Sequence, residues 1–150
     1  MTNCNTASRR VQNAAARAVL NTRGRVHSRK ICKSLHWLPI SHRIDYKIAA
    51  LSYKIVKTEA PSYLCSYLSA TKPSRSLRSG NNGPQFLVPF VKTEMASRAF
   101  SVYAPKLINS FPKNIRDMFS VVSSCETVSI EQFKRVLKTF LFKSAFADVV

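Results

Sequence analysis

The sequence predicts a small, irregular, mainly α domain, with one short β arm allowed near residues 86–91. Three apolar patterns at helical spacing carry this prediction. They are Val11, Ala14, Ala15, Ala18 and Val19 in the first, Ile44, Ile48, Leu51 and Ile55 in the second, and Phe133, Val136, Leu137, Phe140 and Leu141 in the third. At 150 residues the chain is long enough for one domain and too short for two full ones.

Taken in order, residues 8–20 read as a helix whose stripe is mostly alanine, stopped by Asn21 and Gly24. Such a stripe buries little area and asks for a larger partner. A short helix follows from Ser28, with Ile31, Leu35 and Leu38 on one face, and ends before Pro39. Residues 42–58 form the next, with Ser41 as its N-cap. A helical piece spans Ser62 to Leu68, with Pro61 in its first turn.

Residues 69–85 are rich in Ser, Lys, Arg, Pro, Gly and Asn and read as a flexible polar loop. The run Phe86-Leu87-Val88-Pro89-Phe90-Val91 looks extended, and Pro89 restricts it to an edge strand or a strand-like arm. Residues 97–110 read as helical, with Pro105 either kinking the helix or starting a second one. After a turn at Phe111-Pro112-Lys113-Asn114 and a Ser/Val-rich loop comes the last helix, 130–146. Ser129 and Gln132 supply its capping-box pattern. The expected organisation is a basic helical segment 1–68, the loop 69–85, and a β arm with C-terminal helices over 86–150.

The strongest signal for function is charge. The chain holds 24 Lys and Arg against 7 Asp and Glu, a net charge of +17, while 45% apolar content separates it from a disordered basic tail. That combination points to a folded unit that meets a polyanion, nucleic acid first. No acidic residue precedes Asp45, and Arg9, Arg10, Arg17, Arg23, Arg25, Arg29, Lys30 and Lys33 fill the segment before it. Arg10 and Arg17, seven apart, share a helix face and suit a phosphate backbone. Tyr46 and Tyr53, with Tyr63 and Tyr67 behind them, are stacking candidates, although half-buried helix tyrosines are the simpler account of all four.

Other chemistry finds little support. The aspartates Asp45, Asp117 and Asp148 are isolated, with no adjacent pair for divalent metal. Cys32, His36 and His42 give a C-x3-H-x5-H spacing without the second pair a zinc site needs. Glycines stand only at 24, 80 and 83, which leaves no phosphate-cradling loop. No catalytic residue, metal or cofactor is expected. No apolar run reaches membrane-spanning length, and Cys4, Cys32, Cys65 and Cys125 are spaced irregularly, as for reduced thiols inside a cell, nuclear or cytoplasmic. The acid-free, Arg-, Ser- and Ala-rich first 25 residues also fit a mitochondrial transit peptide, the minor alternative for location.

Several motifs carry a resemblance. Val11-Gln12-Asn13-Ala14-Ala15-Ala16-Arg17, Leu35-His36-Trp37-Leu38-Pro39-Ile40 and Arg43-Ile44-Asp45-Tyr46-Lys47-Ile48 come first. Ala60-Pro61-Ser62-Tyr63-Leu64, Leu77-Arg78-Ser79, Val88-Pro89 and Ala99-Phe100-Ser101 follow. Ala104-Pro105-Lys106-Leu107-Ile108-Asn109-Ser110-Phe111-Pro112, Phe133-Lys134 and Leu137-Lys138-Thr139-Phe140-Leu141-Phe142 complete them. In order and spacing the chain resembles the C-terminal region of reverse transcriptases encoded by LINE-type non-LTR retrotransposons. Lys106, Ile108 and Phe111 depart from that family's pattern, which has Arg, Trp and Leu there. The resemblance implies a region at or beyond the polymerase thumb, with palm and endonuclease upstream of residue 1 and no catalytic residue carried over. It implies contact with template RNA or target DNA, and with the upstream polymerase domain. The alternative is a helical interaction module that docks on a partner or on that polymerase body without binding nucleic acid.

Overall fold

The computed structural model describes residues 2–22, 26–71, 84–120 and 128–147, with the side chains of 2–5 left aside. These residues form seven α-helices: α1 Thr2–Val19, α2 Ser28–Ser34, α3 Ile40–Thr58, α4 Ser62–Cys65, α5 Phe100–Ser110, α6 Lys113–Asp117 and α7 Ile130–Ala145. A 3-10 turn, Ala96–Arg98, precedes α5. The class is mainly α, as the sequence predicts. Gly24 and most of the 69–85 loop lie outside the described residues, as does the Ser/Val-rich loop before α7.

The ends of the helices follow local chemistry. Asn21 takes a positive φ of 47°, and its N–H donates to Ala18 O while Thr22 N–H donates to Arg17 O, both at 3.2 Å. That pair of bonds is a Schellman stop, and asparagine tolerates the left-handed conformation it needs. His36 repeats the device at φ 54°, with His36 N–H to Lys33 O at 3.1 Å and Trp37 N–H to Cys32 O at 2.9 Å. Ser129 Oγ accepts from Gln132 N–H at 3.2 Å and caps α7. Ser41 does not cap α3: the helix starts at Ile40, two residues earlier than expected, with Arg43 N–H bonded to Pro39 O. Pro105 sits inside one helix, α5, instead of dividing two.

The 86–91 arm forms no strand. A single antiparallel bridge joins Ala70 to Phe86 among the described residues, with Thr71 N–H on Gln85 O at 2.7 Å and Leu87 N–H on Ser69 O at 3.0 Å. On its other side, Phe86 is closed by a side chain. Its N–H donates to Asn109 Oδ1 at 2.9 Å, and its C=O accepts from Asn109 Nδ2 at 2.8 Å. Pro89, lacking an N–H, cannot extend a ladder beyond this point.

The chain divides into two compact units, Met1–Tyr46 with Leu137–Val150, and Lys47–Val136. This differs from the sequential division at 69–85. The apolar C-terminal end of α7 belongs with the N-terminal helices, because Ala145 and Phe146 bury against Ala16, Ile31 and Cys32, with Leu35, Trp37 and Phe142 packed around them.

The second unit is built on aromatic rings. Tyr53 lies flat on Phe133, centroids 3.9 Å apart and planes 5° from parallel. Phe119 stands edge-on to both, at 5.5 Å and 5.2 Å, and Phe86 meets Phe119 edge-on at 6.1 Å. Ile108 and Phe111 are buried, and Lys106 is exposed.

Candidate nucleic-acid interface

α1 presents three facets. Gln12 and Ala16 are buried, and Gln12 Nε2 donates to Leu38 O at 2.7 Å, which satisfies the amide that packing takes out of water. Arg10 and Arg17 lie together on the exposed side. Beyond them, Val11 (69% exposed) and Val19 (61%) face solvent with Ala14, Ala15 and Ala18. The alanine stripe read from the sequence is therefore the outer face, and the residues flanking it make the contact.

Arg9 is exposed and lies about 100° around the helix axis from Arg10. On α2, Arg29 and Lys30 are exposed and Lys33 is half-buried. Arg29 Nη2 donates to Ala145 O at 2.8 Å, at the C-terminal end of α7, where orphan carbonyls and the helix dipole both favour a cation. Arg23 and Arg25 lie outside the described residues. The structure thus gathers Arg9, Arg10, Arg17, Arg29 and Lys30 on the exposed parts of one unit.

Of the stacking candidates, Tyr53 is removed by its burial. Tyr53 is fully buried in the aromatic core; its Oη donates to Val128 O at 2.7 Å, and burial pushes its ionisation above the ordinary value. It has no face for a base. Tyr46 is half-buried. Tyr63 (65% exposed) and Tyr67 (49%) are the open rings, both in the second unit.

Sequence reasoning also passed over Arg43, Lys138 and Lys143, exposed members of the first unit. The two lysines join it only through the long-range return of α7, which no local pattern signals. With them, that unit holds eleven Lys and Arg against two acidic residues, a net charge of +9.

Cys32 and His36 are not assembled for metal. Cys32 is buried, with its thiol pushed up by desolvation, while His36 stacks on Phe142 at 5.6 Å. No group of three or more His, Cys, Asp or Glu positioned for a metal ion occurs among the described residues. Among the same residues, no helix is long and apolar enough to cross a membrane. Comparison with known proteins finds no matching family model, curated protein or solved structure.

Proposed function

We propose that this chain grips the phosphate backbone of RNA or DNA, without sequence specificity, and performs no catalysis. In this reading it is the thumb-side or post-thumb C-terminal part of a retrotransposon RNA-directed DNA polymerase, acting inside the cell, nuclear or cytoplasmic. One observation carries the proposal: Arg10 and Arg17 stand exposed on a common face of α1, in a unit of net charge +9. Guanidinium groups at that spacing neutralise phosphates and release counterions, so affinity depends steeply on salt. The motif-by-motif resemblance to the LINE-type enzymes supports the same reading. A binding titration against single-stranded RNA and duplex DNA between ~50 and ~200 mM salt tests it. Affinity falls by an order of magnitude or more if several phosphates are held; a flat response overturns it.

A second reading is favoured by the apolar outer face of α1. Val11, Ala14, Ala15, Ala18 and Val19 leave a low-relief surface suited to another helix, as expected of an interaction module docking on a partner or on the polymerase body. Sedimentation of the isolated chain separates the two readings. Self-association abolished by Val11→Lys, without nucleic-acid binding, favours the module. A monomer that binds RNA favours the backbone grip.

A further inference from the structure

The first unit encloses a cavity of about 300 Å³, open on one side. Such a volume lies at the lower end of small-molecule sites and is about ten times a water molecule's share of ~30 Å³. Arg9 and Asn13 reach it from α1, and His27 and Arg29 from the start of α2. Pro39 and Phe146 supply apolar wall. Among the described residues no carboxylate lines it.

This lining separates into three chemistries. The guanidiniums of Arg9 and Arg29 and the imidazole of His27 are donors suited to an anion, and bidentate guanidinium donors match phosphate oxygens. Arg29 is already oriented by its bond to Ala145 O, which uses one of its five N–H donors. The Asn13 carboxamide offers a donor and an acceptor side by side, the pattern that pairs with the edge of a nucleobase. Gln12 also lines the space, but its Nε2 is fixed on Leu38 O, so Asn13 is the free reader. Pro39 and Phe146 add apolar wall against which a flat ring can lie. An inorganic phosphate, only a few waters in bulk, would leave most of the space unfilled.

We infer that this cavity binds a single nucleotide: the phosphate on Arg9 and Arg29, the base edge on Asn13. The site shares Arg9 and Arg29 with the exposed cations of this unit, and it is told apart from the backbone grip by Arg10 and Arg17, which do not line it. The nucleotide has two sources, a free nucleoside monophosphate or the phosphorylated end of a strand.

Calorimetry on the full chain tests the inference with AMP as the probe, against adenosine, ribose 5-phosphate and inorganic phosphate. Each fragment is expected to bind at least tenfold more weakly than AMP. Arg9→Gln and Asn13→Leu should each weaken AMP at least tenfold while the far-UV circular dichroism stays unchanged. Amide chemical-shift changes on adding AMP should centre on Asn13, His27 and Arg29. If either variant loses its fold, those shifts decide. AMP binding no tighter than ribose 5-phosphate, or shifts that avoid these three residues, overturns the site.

Displacement of AMP by a 5′-phosphorylated oligonucleotide, but not by its 5′-hydroxyl form, assigns the site to a strand end. Displacement by neither assigns it to the free nucleotide. The two proposals fail separately: the pair Arg10→Glu and Arg17→Glu removes backbone binding and leaves AMP binding intact.

Discussion

Tyr53 and Phe133 lie face to face at 3.9 Å, eighty residues apart in sequence and both fully buried. The phenol is anchored at its far end by the bond to Val128 O, and Lys57 Nζ lies 5.7 Å from its ring while donating to Ser120 O at 3.1 Å. Tyr53→Phe removes only the hydroxyl bond and should cost about 0.5–1.5 kcal/mol in urea unfolding. Tyr53→Ala should cost about 3–5 kcal/mol, the range for losing a buried aromatic ring. RNA affinity should be unchanged in Tyr53→Phe. A fall there would restore this tyrosine to the binding surface.

The docked face of α1 gives a second prediction. Ala16 is fully buried, so Ala16→Leu must push methylenes into a filled space beside Ile31, Cys32 and Phe146, at about 1–3 kcal/mol. Val11→Ala, on the open side, should stay within about 0.5 kcal/mol of wild type. Chemical denaturation of the two variants decides which face of the helix is docked, and the reverse ranking would mean the alanine stripe is buried.

How far the sequence could be read is visible in the same helices. The stop at Asn21 and the cap at Ser129 were legible, whereas Ser41, an equally good cap by composition, lies inside its helix. The choice of buried face was not legible. On α3 the periodicity picks Ile44, Ile48, Leu51 and Ile55, whereas Ala49, Ser52, Tyr53, Ile55 and Val56 are buried. The docked side is rotated by about one residue, roughly 100°. Periodicity reports that a face is apolar, while the partner surface decides which face is used. Ser52 can be buried because its Oγ donates to Ile48 O at 2.9 Å, four residues back, a satisfaction that no hydropathy pattern records. Of the candidate interface, the arginines of α1 were legible as charge on an exposed face. The tyrosines were not, because a half-polar ring serves a core and a surface equally well.

Salt dependence gives a third prediction. If Arg10 and Arg17 each hold one phosphate, replacing both by Gln should lower the slope of log K against log salt by about 1.8, from ~0.9 per contact on duplex DNA. The same pair should leave the thermal midpoint nearly unchanged, since both side chains are exposed. An unchanged slope would place the contacts elsewhere.

Alkaline pH gives a fourth. Desolvation raises the Cys32 thiol above its ordinary 9.0 and the Tyr53 phenol above its ordinary 10.0. In both, the folded state holds its proton more tightly than the unfolded chain does. The associated stability is fully present below the unfolded values and is lost as pH rises through the folded ones. The thermal midpoint should therefore hold steady with respect to these groups up to about pH 9 and decline above it. The decline should begin at higher pH in Cys32→Ala. At neutral pH the Cys32 thiol should also resist alkylation, with the modified site identified by mass spectrometry.

The pair of hydrogen bonds between Asn109 and Phe86 does what a neighbouring strand would do, with one side chain in place of a peptide unit. An extended segment that exposes its main-chain groups is a template for strand addition, by a second molecule or by an aggregating one. Here Phe86 has the Ala70 bridge on one side and a carboxamide plug on the other. Losing that carboxamide would leave a buried N–H and C=O of Phe86 without partners against α5, so this one side chain fixes the register of an arm whose next residues, Leu87 and Phe90, are well exposed.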